Sequence, residues 1–395
     1  MCDVPRGAAS RDELVSLRTI AKEWTRLGCI GFGGPPAHIA LLRRLCVEER
    51  AWLDAGVFED GIAATNLLPG PASTQLAIFC AWKLRGGVGA VLGGVCFILP
   101  GLALILCLSA VFLASRPPAW VLGAAAGAGA AVPAVALNAA WALAPTSWRR
   151  AGQPRAPRMR WIAYAAAGVL AAASIGEYLV VVLLACGVLE VVVRRPRDPR
   201  PRVARAVVPA VVVHAATAGG LAALALVAFK VGALSYGGGF VIVPLMQHDA
   251  VVTYHWMSGS QFLNAVALGQ VTPGPVVQTV AVVGYAAGGL GGALLAAAIA
   301  FGPSFAFVLA GGPRFDALRR NATVQSFFSG AGPAVIGAIA GSAVPLGLEL
   351  GHAWQLPLLA GAALWLLILR RGVVGVLLIM GLAGIVAAAL GAPVR

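Results

Sequence analysis

Asn66-Leu67-Leu68-Pro69-Gly70-Pro71 returns 204 positions later as Gln270-Val271-Thr272-Pro273-Gly274-Pro275. The same displacement carries Gly28 onto Gly232, Gly33-Gly34 onto Gly237-Gly238, Trp52 onto Trp256, Phe58 onto Phe262 and Ala77 onto Ala281. No gap is needed from Gly28 to Ala77, and beyond that the register drifts by one or two residues. Glycine and alanine match by chance in a chain this rich in both. Two tryptophans, a phenylalanine and a whole Pro-Gly-Pro at one offset mark an internal duplication.

The duplication sits in an apolar chain. Of its 395 residues 59% are hydrophobic and 11% charged, with mean hydropathy +0.87; a soluble domain carries roughly a quarter charged residues. So little polar surface cannot cover a water-facing molecule, so the solvent is the lipid bilayer. Stretches 88–115, 121–146, 206–229 and 291–312 have almost no charge, and each reaches the ~18 residues that cross a bilayer core. Residues 1–27 carry nine charges and no early apolar run, which reads as a cytoplasmic amphipathic helix and not a signal peptide. The seven cysteines are scattered without a Cys-x-x-Cys pair and read as apolar packing residues. A net charge of +14 raises nucleic acid as a partner, but the cations sit in short connectors between apolar runs, so none is expected.

Those connectors alternate between the repeats. Arg43, Arg44 and Arg50 face a second-half stretch, 247–255, without Lys or Arg; Lys83 and Arg85 face 286–289, also without. The pattern then reverses: Arg314, Arg319 and Arg320 answer only Arg116. The basic stretch 149–160 answers 349–355, which has no Lys or Arg, and Arg370-Arg371 answers Glu177. Cations stay cytoplasmic, so alternation means opposite insertion. The expected fold is an all-α polytopic membrane protein of two homologous halves in inverted orientation, with broken or re-entrant helices. About nine segments cross fully and four are broken. The halves are read as 28–193 and 206–395, joined by a basic cytoplasmic linker at 194–205.

Each half holds two segments that cannot be ordinary helix. Gly31-Phe32-Gly33-Gly34-Pro35-Pro36 pairs with Ser235-Tyr236-Gly237-Gly238-Gly239, and the two Pro-Gly-Pro segments pair with each other. Proline removes a backbone donor and glycine opens the backbone. In lipid, such freed groups are tolerated only against protein or water, so these breaks face the interior. Pro71 and Pro275 suit the start of a helix. Ser73, Thr74 and Gln75 follow in one first turn, Gln278 and Thr279 in the other. Helix N-termini offer N–H donors and partial positive charge, so two of them facing each other suit an oxyanion. Asn66, Pro69, Gly70, Gln270, Thr272, Pro273 and Gly274 complete that candidate site, with Ser235, Tyr236 and the glycines. Lys230 precedes the second glycine motif and either attracts an anion or snorkels to the interface. Glu59 and Asp60 read as a cytoplasm-facing pair or a proton relay. The histidines lack metal spacing and read as interfacial or packing residues. Neither a catalytic motif nor a cofactor signature occurs, so no enzyme activity, metal or cofactor is expected.

At these residues the chain resembles the chromate ion transporter family in its long, two-domain form. Phe-Gly-Gly followed by Leu-Pro-Gly-Pro, then Tyr-Gly-Gly-Gly followed by Gly-Gln-Val-Thr-Pro-Gly-Pro, carry the likeness across roughly 14–193 and 206–392. The resemblance implies chromate export across the bacterial cytoplasmic membrane, chromate resistance, oppositely oriented halves and sulfate as competitor or counter-substrate. It implies a polar residue three before Pro-Gly-Pro, which Gln270 fits and Asn66 shortens. Pro35 in place of a third glycine is a departure. A homodimer, a carrier of another small anion, and a non-transport scaffold or lipid-handling protein are the remaining readings.

Overall fold

The computed structural model describes residues 15–66, 68, 70–114, 116–152, 155–174, 178–194, 220–235, 242–311 and 321–394. The expectations for residues 1–14, the linker, 206–219, Glu177, Arg314, Arg319, Arg320, Pro69 and Tyr236 to Gly239 lie outside the described residues. Among the described residues there is no strand.

The first half opens with α1 (Leu17–Ile30), capped by the Ser16 side chain, which accepts from the Thr19 N–H. Gly33 and Gly34, at φ +98° and +73°, end that run, a conformation that suits glycine. Pro35 then starts α2 (Pro35–Arg43), which widens into a π turn at Arg44–Glu49. Asp54 caps α3 (Ala55–Thr65) through the Gly56 N–H. Next come α4 (Ala72–Phe112), α5 (Ala119–Ala130), α6 (Val132–Ala151), α7 (Arg155–Ser174) and α8 (Leu179–Arg194). The second half repeats the series. α9 (Leu221–Leu234) lies 204 positions beyond α1, and α10 (Ile242–Gln247) carries the π turn His248–Thr253, 204 beyond its counterpart. α11 (Gly259–Val271) starts at a Ser258–Gln261 capping box. α12 (Thr279–Gly311), α13 (Ala322–Leu348), α14 (Gln355–Ala363) and α15 (Val373–Ala389) follow.

The two longest helices are each two legs. Arg85 and Gly86 leave helical angles in α4, with Gly86 at φ +63°; Gly288 and Gly289 do the same in α12, with Gly289 at φ +60°. Leg 72–84 is ~20 Å long and leg 276–287 ~18 Å, short of the ~30 Å hydrocarbon core. Each doubles back on the longer leg after it. A Cβ on Gly89 would lie 2.5 Å from the Ala81 carbonyl oxygen, and one on Gly292 2.3 Å from that of Gly284. The short leg of α4 also packs on α3, where a Cβ on Gly61 would meet Phe79. In each half, helix, Pro-Gly-Pro turn and short leg therefore form a re-entrant hairpin. Among the described residues, four spans are long and apolar enough to cross by length and composition: 72–112, 119–151, 276–311 and 322–348.

The halves interlock. The second half's α13 packs against α6, α7 and α8, and the last helix α15 packs against α5 of the first half. Small residues permit it. A Cβ at Gly168 would sit 1.9 Å from the Ala334 carbonyl oxygen, one at Gly337 1.9 Å from that of Ala165, and one at Gly127 2.2 Å from that of Met380. Between transmembrane helices, this backbone approach replaces the hydrophobic drive that lipid does not supply.

Candidate substrate site

The N–H of Gly70 donates to the carbonyl of Ser235, 2.9 Å away, and the N–H of Gly274 donates to the carbonyl of Gly31, also at 2.9 Å. Gly70 and Gly274 are repeat partners, and so are Gly31 and Ser235. Each Pro-Gly-Pro turn is thus tied to the end of the other half's first helix, and the pair of bonds obeys the duplication. φ of +116° at Gly70 and +100° at Gly274 turns each N–H to the opposite half, an orientation a side chain would strain.

The turns also rest on the opposite long legs. A Cβ at Gly101 would lie 2.0 Å from the Pro273 carbonyl oxygen, and one at Gly70 3.3 Å from Ser304 Oγ. Pro71 and Pro275 stand at the N-cap positions of the helical turns that follow. The first N–H groups there lack intrahelical acceptors, and the crossed bonds bring both helix starts against the opposite half.

Buried polar side chains line that region. Ser73, Thr74, Gln75, Ser235, Gln270, Thr272, Gln278, Thr279 and Ser304 are all buried. Gln278 Nε2 donates to the Ile98 carbonyl at 2.9 Å, across the halves. Thr279 and Thr272 bond back to Val276 and Gly269. Thr74 Oγ1, Ser235 Oγ, Gln270 Nε2, Gln278 Oε1 and Ser304 Oγ are buried without a protein partner among the described residues. Leaving a buried polar group unpaired costs about 1–3 kcal/mol, and most native structures avoid it. Five such atoms around two helix starts suit a polar ligand. The hydroxyls and the Gln270 amide supply donors, and no fixed cation belongs to the set.

His38 braces the first helix start. Its Nε2 lies 2.9 Å from the Gly31 carbonyl, the one that receives Gly274, and Nδ1 lies 3.1 Å from Ser73 Oγ. A carbonyl only accepts, so Nε2 carries the hydrogen. The ring is fully buried and edge-on to Phe97. His38 therefore has a defined polar role beside the turn, where the sequence reading gave it packing or the interface. Its repeat partner is Ile242, so the duplication gave no hint of it. Ser304 was missed for a related reason, since the drifted register aligns it with Gly101.

Other expected members fall differently. Gly33 and Gly34 precede α2, and Gly34 faces Val276 across the halves. Asn66 is the C-cap of α3 and lines a cavity with Gly70 and Ala72. Lys230 is not an open or snorkelling cation, because its ammonium makes an ion pair with Asp249. Glu59 pairs with Arg43 at 2.5 Å, the interfacial arrangement and not a buried relay. No group of three potential metal ligands occurs among the described residues.

The cavity has a volume of about 750 Å³ and runs from Asn66 and Gly70 to Arg150, Arg160 and Arg194. A second, of about 440 Å³, lies among the opposite helix ends at Phe112, Leu122, Ser258, Asn264 and Gln355. No Pro-Gly-Pro residue lines it. A Cβ at Gly129 would lie 2.4 Å from Asn264 Oδ1, so α5 and α11 close tightly there. The turns communicate with the basic side.

Comparison with known proteins agrees with this architecture. The family profile described as Chromate transporter matches residues 18–191 and again 222–388. The chain is 33% identical over 339 residues to the chromate transport protein of Cupriavidus metallidurans, covering 84% of this chain and 82% of that one. It is 30% identical to the probable chromate transport protein of Synechococcus elongatus, covering 85% and 86%. It is 31% identical to the chromate transport protein of Pseudomonas aeruginosa, covering 81% and 79%. No solved structure matches.

Proposed function

Since the chain belongs to the chromate transporter family, we propose that it carries chromate, a tetrahedral dianion, out of the cell through the two Pro-Gly-Pro helix starts. The observation that carries this reading is the reciprocal bond pair Gly70–Ser235 and Gly274–Gly31. It sets both helix starts beside buried donors without protein partners among the described residues. Thr74, Ser235, Gln270 and Ser304 would hold the tetrahedral oxygens, with the free N–H groups of the two first turns. A site of neutral donors and helix dipoles binds a dianion without a fixed countercharge to trap it.

The membrane is proposed to be the bacterial cytoplasmic membrane, with the basic connectors inside. The 750 Å³ cavity would then be the cytoplasmic entrance, with the opposite side closed at α5 and α11. Exchange of the two arrangements between inverted halves would expose the site outward. Chromate export and resistance follow energetically, because a dianion leaving an inside-negative cell gains about 4.6 kcal/mol at 100 mV, twice the ~2.3 for one charge.

Labelled chromate flux in proteoliposomes, driven by an imposed potential and competed by sulfate, tests the reading. Potential-driven, sulfate-sensitive flux is expected, with Gln270→Ala and Asn66→Ala reducing it without loss of insertion. Normal flux by both variants would remove the turns from the pathway.

A further inference from the structure

Glu190 is the acid of the apolar helix α8, and three guanidinium groups surround it or share its cavity. Arg160 grips it with a fork, Nε to Oε2 at 2.8 Å and Nη2 to Oε1 at 3.2 Å. Arg194 Nε reaches Oε1 at 2.5 Å and the Tyr164 hydroxyl donates to Oε2 at 3.1 Å. The Glu190 side chain is only 3% exposed, while Arg160 and Arg194 keep 28% and 36%. The carboxylate lies in the wall and the cations face the cavity. Arg150 lines the same cavity and makes no salt bridge among the described residues.

We propose that Arg150, Arg160 and Arg194 form an outer anion site in the cavity, where Glu190 occupies the guanidinium groups until a tetrahedral dianion takes its place. Three cations against one carboxylate leave two positive charges, the complement of a dianion. A buried ion pair is by itself weak evidence for stability. Guanidinium forks match oxyanion edges in two parallel hydrogen bonds. The cavity joins this cluster to Asn66 and Gly70, so an anion captured here stands on the path to the turns. The feature is one-sided, since the second-half stretch 349–355 has no Lys or Arg. Glu190 keeps the outer site weak, so that the anion moves on.

This inference rests on the oxyanion-carrier reading, and its test separates the two. Equilibrium binding of labelled chromate and of sulfate is measured on the purified full chain, and flux in proteoliposomes. The variants are Glu190→Gln, which keeps the shape and removes the charge, and Arg150→Ala, which strands no partner among the described residues. Glu190→Gln is expected to tighten binding about tenfold at low salt, less at high salt, and to slow maximal flux. Arg150→Ala is expected to raise the half-saturating concentration about threefold or more with maximal flux retained. Parental binding and half-saturation in both variants would overturn the outer site while leaving the carrier intact. Absence of oxyanion binding and flux in the parent would overturn the carrier reading, and the outer site with it.

Discussion

Ser304 shows how a polar atom's missing partner distinguishes function from stability. Its hydroxyl is buried beside Gly70 without a protein partner among the described residues, so Ser304→Ala removes an unpaired group and no described hydrogen bond. Thermal stability should hold or rise by up to about 1–3 kcal/mol, while chromate flux falls several-fold; thermal unfolding and flux on one preparation check both. Gln278→Ala differs because the side chain also bonds Ile98. It should lose roughly 1 kcal/mol of stability as well as flux. His38→Ala removes two bonds at the first helix start, and a fall in both unfolding temperature and flux is expected. His38→Asn, which restores a donor and an acceptor, should recover part of each. The turn glycines and their polar followers were readable because proline and glycine constrain backbone whatever surrounds them. His38, Ser304 and Glu190 were not, because Ser73 lies 35 residues from His38, Arg160 lies 30 from Glu190 and Gly70 belongs to the other half from Ser304, and only packing brings them together.

At the scale of elements, the re-entrant hairpins depend on a reversal that only glycine accommodates easily. Gly86 and Gly289 stand at φ +63° and +60° with open space around the missing Cβ. Substitution by alanine therefore meets only backbone strain, about 1–3 kcal/mol each, and a lower unfolding temperature is the expected reading. Gly337 is the opposite case: a Cβ would sit 1.9 Å from the Ala165 carbonyl oxygen. Gly337→Val must force α7 and α13 apart. A loss of about 3 kcal/mol is expected at this crossing, at the upper end of overpacking costs, read as poor monodispersity and early unfolding in detergent. A tolerated valine there would show that the crossing does not need close backbone approach. The length of the apolar runs located the crossing helices in the sequence, and breaker residues located their interruptions. The folding of each short leg back onto its long leg was not legible, because a Pro-Gly-Pro fits a kink as well as a reversal.

At the scale of the molecule, each half lacks part of its own interior. α5 depends on α15, α7 and α8 depend on α13, and each Pro-Gly-Pro turn takes its acceptor from the other half. A chain cut between 195 and 205 should therefore yield halves that are inactive and unstable alone. Co-expressed, they should copurify and carry chromate, since the helix contacts and turn bonds described between the halves lie outside the cut stretch. Pull-down of one tagged half and flux of the reconstituted pair check this. Independent folding of either half would contradict the interlocking.

The sequence by itself determined the solvent, the helical class, the duplication and its inversion. Hydropathy, the positions of cations and the repetition of breaker residues are properties of the chain that lipid and water read directly. It also placed the candidate site at the paired turns, since a broken helix in lipid has to face protein or water. Only the tertiary structure decided which groups meet. It crossed the acceptors of the two turns between halves, paired Lys230 with Asp249, and buried Glu190 between arginines facing the cavity. The physical reason is that backbone constraints act within a few residues, whereas pairing a buried charge or donor requires a partner brought by packing from anywhere in the chain.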